Sequence, residues 1–407
     1  MKVIKTNVLN PVDKFQIEYL PEVYLSVEGT KIKSIETVMP ENIPYEDHTD
    51  SVCLPGLIDA HTHLSQFYVR GKHSHDLLQW LNDHIFLEEL RSSKIEYARK
   101  LSEDFFEALF RVGTTTAVIY TAPFYSACDI AFETAKKLGA RSLIGMTMMD
   151  TNSPRELSQD TDKAIEESIR LCENWHDKNG LLQYIFSPRF APVCSAKLMR
   201  EISDYAKSNE IFIQTHLSEN LDEIKWVKSL FPDCANYTEV YEKYGLLTDK
   251  TLLAHVIHIS DEELQLIQNH DSRVIHCPDS NFFLKSGAFL SKKFIDNDMK
   301  LALASDVGAG TTLSMFNVMK MSLYRQETDQ IIPETAFYYS TLGAALALDK
   351  EECIGSIESG KQADFILMPI EDIAHKTGED ILSNLIYLWQ EHPISATYIA
   401  GKCVYEK

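Results

Sequence analysis

The stretch that decides the fold is residues 54–66, which read Leu-Pro-Gly-Leu-Ile-Asp-Ala-His-Thr-His-Leu-Ser-Gln. An apolar run, Leu57-Ile58, leads into His61 and His63, which are two residues apart. Residues i and i+2 of an extended strand point to the same face, so the two imidazoles can converge on one ion. Imidazole suits zinc and ferrous iron. The spacing alone also fits a polar strand end with two solvated histidines, so the choice depends on the rest of the chain.

From residue 53 onward, apolar runs of strand length alternate with helical patterns. Near-continuous apolar strands separated by helices indicate a parallel sheet covered on both faces. Eight such units predict an α/β fold, a (β/α)8 TIM-type barrel. The eight predicted strands are Leu54–Ile58, Thr114–Tyr120, Ser142–Met149, Leu181–Phe186, Ile211–Thr215, Thr251–Ala254, Arg273–Ile275 and Lys300–Ala304. Helices are predicted between them, for example over Ile130–Leu138, Ala164–Trp175 and Glu262–Ile267.

Both ends of the chain show short β-strand patterns instead of alternating strands and helices. Residues 23–36 alternate apolar and polar positions around Gly29, which is typical of a β-hairpin. After a last helix around Pro333–Leu348, the chain returns to short strands, with a hairpin broken by Gly401-Lys402. We predict that residues 1–52 and 362–407 pair into a small composite β-sandwich domain, and that residues 53–361 form the barrel domain.

Polar residues follow the predicted strands at their C-terminal ends, where a barrel enzyme carries its chemistry. A histidine at a strand end is often only a satisfied polar cap, and an aspartate before glycines can be a turn former. The joint occurrence of several such groups on one rim favours a metal site instead. The rim residues are His61, His63 and Gln66 after strand one, Arg189 and Phe190 after strand four, His216 and Glu219 after strand five, His255 after strand six, and Asp306 after strand eight.

Other histidines differ in how they lie relative to the predicted strands. His73-Ser74-His75 repeats the spacing but follows no apolar strand, which indicates a polar loop. His258 lies further from the sixth strand than His255, so His255 is favoured. His276 ends the seventh strand, where a structural role is favoured.

The composition excludes several classes of function. Lys and Arg number 39 against 60 Asp and Glu, a net charge of −21, which argues against binding to a nucleic-acid backbone. The N-terminus lacks the apolar core of a signal peptide, and no apolar stretch reaches the ~18 residues of a membrane span. The eight cysteines include no Cys-x-x-Cys, so we interpret them as reduced thiols in a cytoplasmic protein.

The motifs together resemble the amidohydrolase superfamily. The resemblance rests on Pro55–His63, His216-x-x-Glu219, His255, the run His276–Asn281 and Ser305-Asp306. Within the superfamily, Ser187-Pro188-Arg189-Phe190-Ala191-Pro192, Leu77-Leu78-Gln79-Trp80-Leu81 and residues 305–312 resemble the members that deaminate guanine. One departure is Asp279, where the pattern has Asn or Thr. Strand four offers no lysine before Ser187 to bridge two metals, which indicates one metal ion.

The resemblance implies the following roles. His61, His63, His216 and Asp306 would hold one zinc ion per subunit, with ferrous iron possible, and would leave a position for a water whose pKa falls towards ~7. Glu219 would act as general acid and base, His255 would stabilise the tetrahedral centre, and Asp306 would help to move the second proton. Gln66, Arg189 and Phe190 would bind a free purine base, guanine. The resemblance also suggests a homodimer.

Three other functions remain open at this point. An amidohydrolase acting on 8-oxoguanine, a triazine or a pterin would keep the metal site and change only the pocket. A non-catalytic scaffold of the same fold typically loses metal ligands, which this sequence retains. A nucleic-acid base deaminase would need His-x-Glu and Pro-Cys-x-x-Cys motifs, which are absent here.

Overall fold

A computed structural model describes residues 1–40, 43–74, 77–324 and 331–407. The strands, numbered in chain order, are β1 (Lys2–Asp13), β2 (Gln16–Glu28), β3 (Lys31–Glu36), β4 (Glu46–Pro55), β5 (Leu57–His63), β6 (Thr114–Thr121), β7 (Arg141–Met148), β8 (Leu182–Tyr184), β9 (Ser187–Pro188), β10 (Ile213–Leu217), β11 (Thr251–His255), β12 (Arg273–His276), β13 (Leu301–Leu303), β14 (Phe365–Pro369), β15 (Ala396–Ile399) and β16 (Lys402–Glu406).

The helices surround these strands. They are α1 (Leu77–Trp80), α2 (Phe86–Arg91), α3 (Ile95–Arg111), α4 (Tyr125–Leu138), α5 (Thr161–Trp175), α6 (Ala196–Ser208), α7 (Leu221–Leu230), α8 (Tyr237–Lys243), α9 (Asp261–Asn269), α10 (Pro278–Phe283), α11 (Ser291–Ile295), α12 (Met315–Tyr324), α13 (Pro333–Tyr338), α14 (Leu342–Ala347) and α15 (Gly378–Tyr387). A π-helix, Leu81–Ile85, joins α1 to α2, and short 3₁₀ turns occupy Leu64–Val69, Ala191–Val193, Ile373–His375 and Trp389–Glu391. No helix in the described ranges is long and apolar enough to cross a membrane.

Strands β5 to β13 form the predicted parallel barrel. Two parallel sheets run in the orders β5-β6-β7-β8 and β10-β11-β12-β13, with β9 paired to β7. At one seam, Phe186 pairs with Ile213 in a parallel bridge. At the other seam, the Asp306 amide donates to the His61 carbonyl at 2.9 Å. All eight predicted strands are present, and the TIM-type fold predicted from alternating apolar runs and helices is confirmed.

The interior of the barrel is a packed apolar layer, with one or two inward-facing residues from each strand. Its floor is closed by the small side chains of α14, which pack against the same layer. The polar side chains predicted for the site lie at the opposite, C-terminal end, where the strands leave the apolar layer. The layer consists of Ile58, Ala60, Val118, Leu143, Ile185, Phe212, Leu252, Ile275, Cys277, Ala302 and Ala304.

The first predicted strand, Leu54–Ile58, is wrong in one respect. The chain changes sheet at Gly56, because β4 ends at Pro55 and β5 begins at Leu57. The Gly56 amide donates to the Asp364 carbonyl on the terminal sheet, whereas the Leu57 amide donates to the Gly113 carbonyl beside the barrel. A Cβ at Gly56 would lie 2.1 Å from Thr115 Oγ1, so this crossing point requires glycine.

The two chain ends pair with each other, as predicted. They form one seven-stranded sheet in the order β16-β15-β14-β4-β1-β2-β3, in which β1 and β4 are parallel and the other pairs antiparallel. Its apolar face buries a separate cluster that includes Ile4, Leu25, Phe365 and Leu367. The division into a β-sandwich domain of residues 1–52 and 362–407 and a barrel domain of residues 53–361 stays a prediction.

Several helices agree with their predicted patterns and others do not. The helices predicted at Ile130–Leu138, Ala164–Trp175 and Glu262–Ile267 lie within α4, α5 and α9. The helix predicted over Pro333–Leu348 is two short helices, α13 and α14, because the chain breaks at residues 339–341.

Candidate active site

Five predicted residues with imidazole or carboxylate side chains meet at the C-terminal end of the barrel. His61 and His63 are in β5, His216 is in β10, His255 ends β11, and Asp306 follows β13. All five are buried or nearly so. His255 and Asp306 adopt positive φ values of 73° and 47°, in the left-handed region that non-glycine residues adopt uncommonly.

The four predicted ligands have atoms close enough to share one ion. His63 Nε2 lies 3.2 Å from His61 Nε2 and 3.3 Å from His216 Nε2. Asp306 Oδ1 lies 3.3 Å from His61 Nε2 and 3.2 Å from His63 Nε2. Donors about 2.0–2.1 Å from a tetrahedral zinc are ~3.3–3.4 Å apart, so these spacings fit the edges of such a coordination shell.

The protonation of the site also suits a metal. Burial lowers the pKa of His61 to about 4, and burial lowers the pKa of His216 well below its ordinary value. Burial opposes ionisation of Asp306, but hydrogen bonds from His61 and His63 hold the pKa of its carboxyl well below the usual range. Neutral imidazole and ionised carboxylate are the forms in which these groups bind metals.

His216 is oriented by the backbone. Its Nδ1 donates to the Arg189 carbonyl at 2.6 Å, which leaves Nε2 as the lone-pair atom facing His63. The Tyr241 hydroxyl donates to the His216 carbonyl at 2.7 Å and accepts from the Ala191 amide at 3.1 Å. The loop that carries Arg189 and the strand that carries His216 therefore hold each other in place.

His255 lies in the same cluster but faces two carboxylates. Its Nδ1 bonds to Asn281 Oδ1 at 2.9 Å, and its Nε2 lies 3.5 Å from Glu219 Oε2 and 3.8 Å from Asp306 Oδ2. Burial lowers the pKa of His255, but Glu219, Asp306 and the Asn281 bond outweigh burial and raise it. The ligand atoms of His61, His216, His255 and Asp306 also lie within 4.8 Å of one another. The raised pKa of His255 favours its protonated form, however, which cannot bind a metal.

Glu219 is a buried carboxyl beside this cluster. Ser286 Oγ donates to its Oε1 at 3.1 Å, and burial raises its pKa to about 7. Its backbone amide donates to Glu223 Oε2 at 3.0 Å, at the start of helix α7. A carboxyl with a pKa near 7 can both accept and deliver a proton at neutral pH.

A cavity of about 420 Å³ opens over this cluster. The predicted substrate residues Gln66, Arg189 and Phe190 line it together with His63, His216, Glu219, His255 and Asp306. The structure thus brings all nine predicted residues but His61 to the cavity wall, and His61 contacts the wall residues His63 and Asp306. Trp80, in the run Leu77–Leu81 that carried part of the resemblance, also lines the cavity.

Glu89 was missed by the sequence reasoning. It is fully buried in α2 and bonds to both Arg189 and Gln66. Helix α2 is a single short turn after a π-helix, and neither its spacing nor its composition signalled a site. The predicted place of Arg189 in the site was the available signal for Glu89, because a buried guanidinium needs a carboxylate partner.

Asp59 was also missed. It accepts from the amides of His61 and Ser305 and from the Ser305 hydroxyl, and burial raises its pKa to about 7. It therefore ties β5 to the residue before Asp306.

The remaining histidines lie away from the cluster or in other roles. His258 Nε2 bonds to the Ser286 carbonyl at 2.7 Å, and His276 stacks on Phe289 with ring centroids 4.2 Å apart. His73 is exposed, as a loop residue should be. His75 and Asp76 lie outside the described residues. Asp279, the departure from the family pattern, accepts from the Thr311 amide at 2.6 Å and so holds the loop after β13.

Comparison with known proteins places the chain in a family. The model of the amidohydrolase family matches residues 52–404. The chain belongs to the amidohydrolase family. The superfamily resemblance drawn from its motifs is therefore confirmed, and with it the assignment as a hydrolytic enzyme.

This amidohydrolase is similar to several guanine deaminases. It is 35% identical to the guanine deaminase of Escherichia coli over 385 residues, 91% of this chain and 86% of that protein. The solved structure of the E. coli guanine deaminase matches with a TM-score of 0.95 and 31% identity over 100% of both chains. That of guanine deaminase from C. acetobutylicum with bound guanine matches with a TM-score of 0.93 and 29% identity, over 99% of this chain and 100% of that one.

The amidohydrolase fold extends to more distant enzymes. Atrazine chlorohydrolase TrzN from Arthrobacter aurescens TC1, solved in complex with zinc, matches with a TM-score of 0.88 and 18% identity, over 100% of this chain and 95% of that one. At this identity the likeness concerns the fold alone.

Proposed function

We propose that this protein hydrolyses guanine to xanthine and ammonia, with one metal ion held by His61, His63, His216 and Asp306. The observation that carries the proposal is one cavity at which His63, His216 and Asp306 meet the buried Glu219 and the purine-binding candidates Gln66 and Arg189. His61 does not line the cavity but contacts His63 and Asp306. The similarity to guanine deaminases over almost the whole chain supports the substrate.

The donor set fits a single divalent ion. Three imidazoles and one carboxylate suit zinc, and ferrous iron shares the same ligand preference. When bound, the ion supplies Lewis-acid activation, which lowers the pKa of a water at its open position to ~7.

The chain's own residues then move the protons. Glu219 accepts a proton from the attacking water and delivers it to ring N3 while the water oxygen adds to C2. His255, 3.5 Å from Glu219 and 3.8 Å from Asp306, stabilises the charge that develops at the tetrahedral centre. Asp306 helps to pass the second proton to the amino group. The C2–N bond then breaks, ammonia leaves, and the ring keeps the oxygen as xanthine.

Recognition of the ring falls to three residues beside the cluster. The guanidinium of Arg189 presents a donor fork that suits neighbouring acceptors such as O6 and N7. Gln66 contacts the same edge, and Phe190 contacts the ring. A site with buried donors rejects adenine, because adenine carries an amine at position 6.

The setting of the reaction is part of the same proposal. The family resemblance suggests a homodimer, the N-terminus and the cysteine pattern predict the cytoplasm, and the reaction belongs to purine salvage or catabolism. Sedimentation of the purified protein at twice the 46.4 kDa chain mass would support the dimer, and sedimentation at one chain mass would contradict it.

The test is release of ammonia from the zinc-loaded protein with guanine, 8-oxoguanine, adenine, cytosine and guanosine. We expect turnover of guanine and formation of xanthine. Turnover of another ring alone, a triazine or pterin included, would retain the hydrolytic site and overturn the substrate. Absence of release from every ring by fully metal-loaded protein would favour the scaffold reading.

A further inference from the structure

A buried carboxylate outside the predicted site joins the two purine-binding candidates. Glu89 is fully buried, and each of its oxygens has a different partner. Oε2 accepts from Arg189 Nη1 at 2.7 Å, and Oε1 accepts from Gln66 Nε2 at 3.0 Å. Ser65 Oγ adds a longer bond of 3.4 Å to Oε1.

This contact determines which way the Gln66 amide faces. An ionised carboxylate only accepts hydrogen bonds, so the NH₂ end of the Gln66 amide must face Glu89. The amide oxygen is then on the other side, next to Gly308, where an added Cβ would lie 2.0 Å from it. Gln66 therefore lies between the Glu89 carboxylate and Gly308, a position at which no side chain would fit.

The same contact orients Arg189. The guanidinium carries five N–H donors in a planar fork, and the Glu89 bond uses one of them. The Arg189 side chain is only 4% exposed, and its guanidinium lies 5.3 Å from the Phe86 ring centroid, so its plane has little freedom. Helix α2 thus holds both cavity residues from behind.

The geometry points to Glu89 as the positioning residue that determines which hydrogen-bond donors and acceptors Gln66 and Arg189 present to the purine. This inference rests on the proposed function. With Glu89 ionised, the cavity wall that faces the purine offers N–H donors from Arg189 and an amide from Gln66 that cannot reverse. Such a wall fits the adjacent C6 carbonyl and N1–H of guanine. It disfavours 2,6-diaminopurine, which has the same amino group at C2 but an amine at position 6 and a bare N1.

Replacing Glu89 with glutamine should allow the Gln66 amide to reverse. Its amide can accept from Arg189 on one side, but its NH₂ then faces the NH₂ of Gln66, and Gln66 must turn over to restore a hydrogen bond. Guanine would then meet a donor where it needs an acceptor. Leaving a buried donor without its acceptor corresponds to about 10-fold or more in affinity.

The test compares Glu89→Gln with Glu88→Gln, a matched control on the same helix. Glu88 is also buried, but its partners are Arg91 and Tyr97, neither of which lines the cavity. For Glu89→Gln we expect KM for guanine to rise about 10-fold or more, kcat to change less than about 3-fold, and the kcat/KM ratio of guanine to 2,6-diaminopurine to fall about 10-fold. Glu88→Gln should leave KM and this ratio unchanged.

A double variant separates an effect that acts through Gln66 from a general change in the cavity. In a Gln66→Ala background, adding Glu89→Gln should change the guanine to 2,6-diaminopurine ratio by less than about 2-fold, because the residue through which Glu89 acts on this ratio is gone. A ratio that stays at the wild-type value in Glu89→Gln overturns the inference. A ratio that falls equally in both backgrounds also overturns it. If the wild-type protein turns over neither purine, the proposed function fails first, and that result is distinct from either outcome.

Discussion

Glu219 shows how one residue's surroundings determine its chemistry. Its carboxyl is buried, accepts from Ser286 and lies 3.5 Å from His255, yet it is not one of the four proposed metal ligands. Glu219→Gln should therefore keep one equivalent of bound metal and lower kcat for guanine by about 10²–10⁴-fold, the usual contribution of a general acid–base group. Metal analysis and steady-state kinetics on the same sample check this. A variant with the wild-type rate would remove Glu219 from the mechanism.

The pKa of Glu219 predicts a pH dependence. Burial raises it to about 7, and the group must start as a carboxylate to accept a proton from water. The reactive fraction is therefore small below pH 7 and complete above it, so kcat/KM should rise about 10-fold per pH unit on the acid side and level off above about pH 7. A rate that is flat from pH 5 to pH 8 would contradict this assignment.

Residues were predictable from sequence where local pattern determines their position. His61, His63, His216, His255 and Asp306 each follow an apolar run, and parallel strands bring their C-terminal ends to one rim. Glu89 was not predictable in this way, because its partners are 23 and 100 residues away along the chain. No local periodicity reports such a contact.

At the scale of elements, β7 has to pass very close to the end of the fourth barrel strand. A Cβ at Gly145 would lie 2.0 Å from Ser187 Oγ and 2.1 Å from the Ile185 carbonyl oxygen. Gly145→Ala should force the backbone apart and lower the free energy of unfolding by about 1–3 kcal/mol, the cost of overpacking a core. Denaturant unfolding measures this.

Gly145→Ala should also displace Arg189 in the site, since Arg189 directly follows β9, which begins at Ser187. We expect KM for guanine to rise in Gly145→Ala. Stability and KM equal to those of the wild type would show that this strand crossing is not as tight as described.

The barrel strands were predictable because each contains a short, mainly apolar run, although the first was predicted across the change of sheet at Gly56. The segments beside the cavity, residues 64–69 and 77–91, were not predictable, because they consist of 3₁₀, α and π turns of four to six residues. Such short pieces carry no amphipathic period, and tertiary contacts such as the Trp80 Nε1 bond to the Lys72 carbonyl hold them.

At the scale of the whole molecule, a buried ion pair fastens the terminal sheet to the barrel. Arg141 at the start of β7 bonds to both oxygens of Asp364, at 2.9 and 3.1 Å, and Asp364 also accepts from the Ala400 amide. The two side chains are 7% and 2% exposed. Sequence patterns predicted both elements but not the contact between residues 223 positions apart.

Arg141→Met should leave Asp364 buried without its cation and lower the free energy of unfolding by about 3–5 kcal/mol. Arg99→Met is the control, because its partner Glu133 is half exposed and such pairs contribute about 0–1 kcal/mol. Thermal and denaturant unfolding of both variants measure the difference. Equal stability of the two variants would show that the buried pair does not fasten the sheets.

The central claim is that one metal ion in the barrel activates water for the hydrolysis of guanine. The most direct measurement follows metal content and xanthine formation together while the protein is stripped with a chelator and titrated with zinc. We predict that turnover disappears with the metal and returns in proportion to added zinc, reaching its maximum at one equivalent per chain. Full turnover by metal-free protein, or a maximum only at two equivalents, would contradict the account.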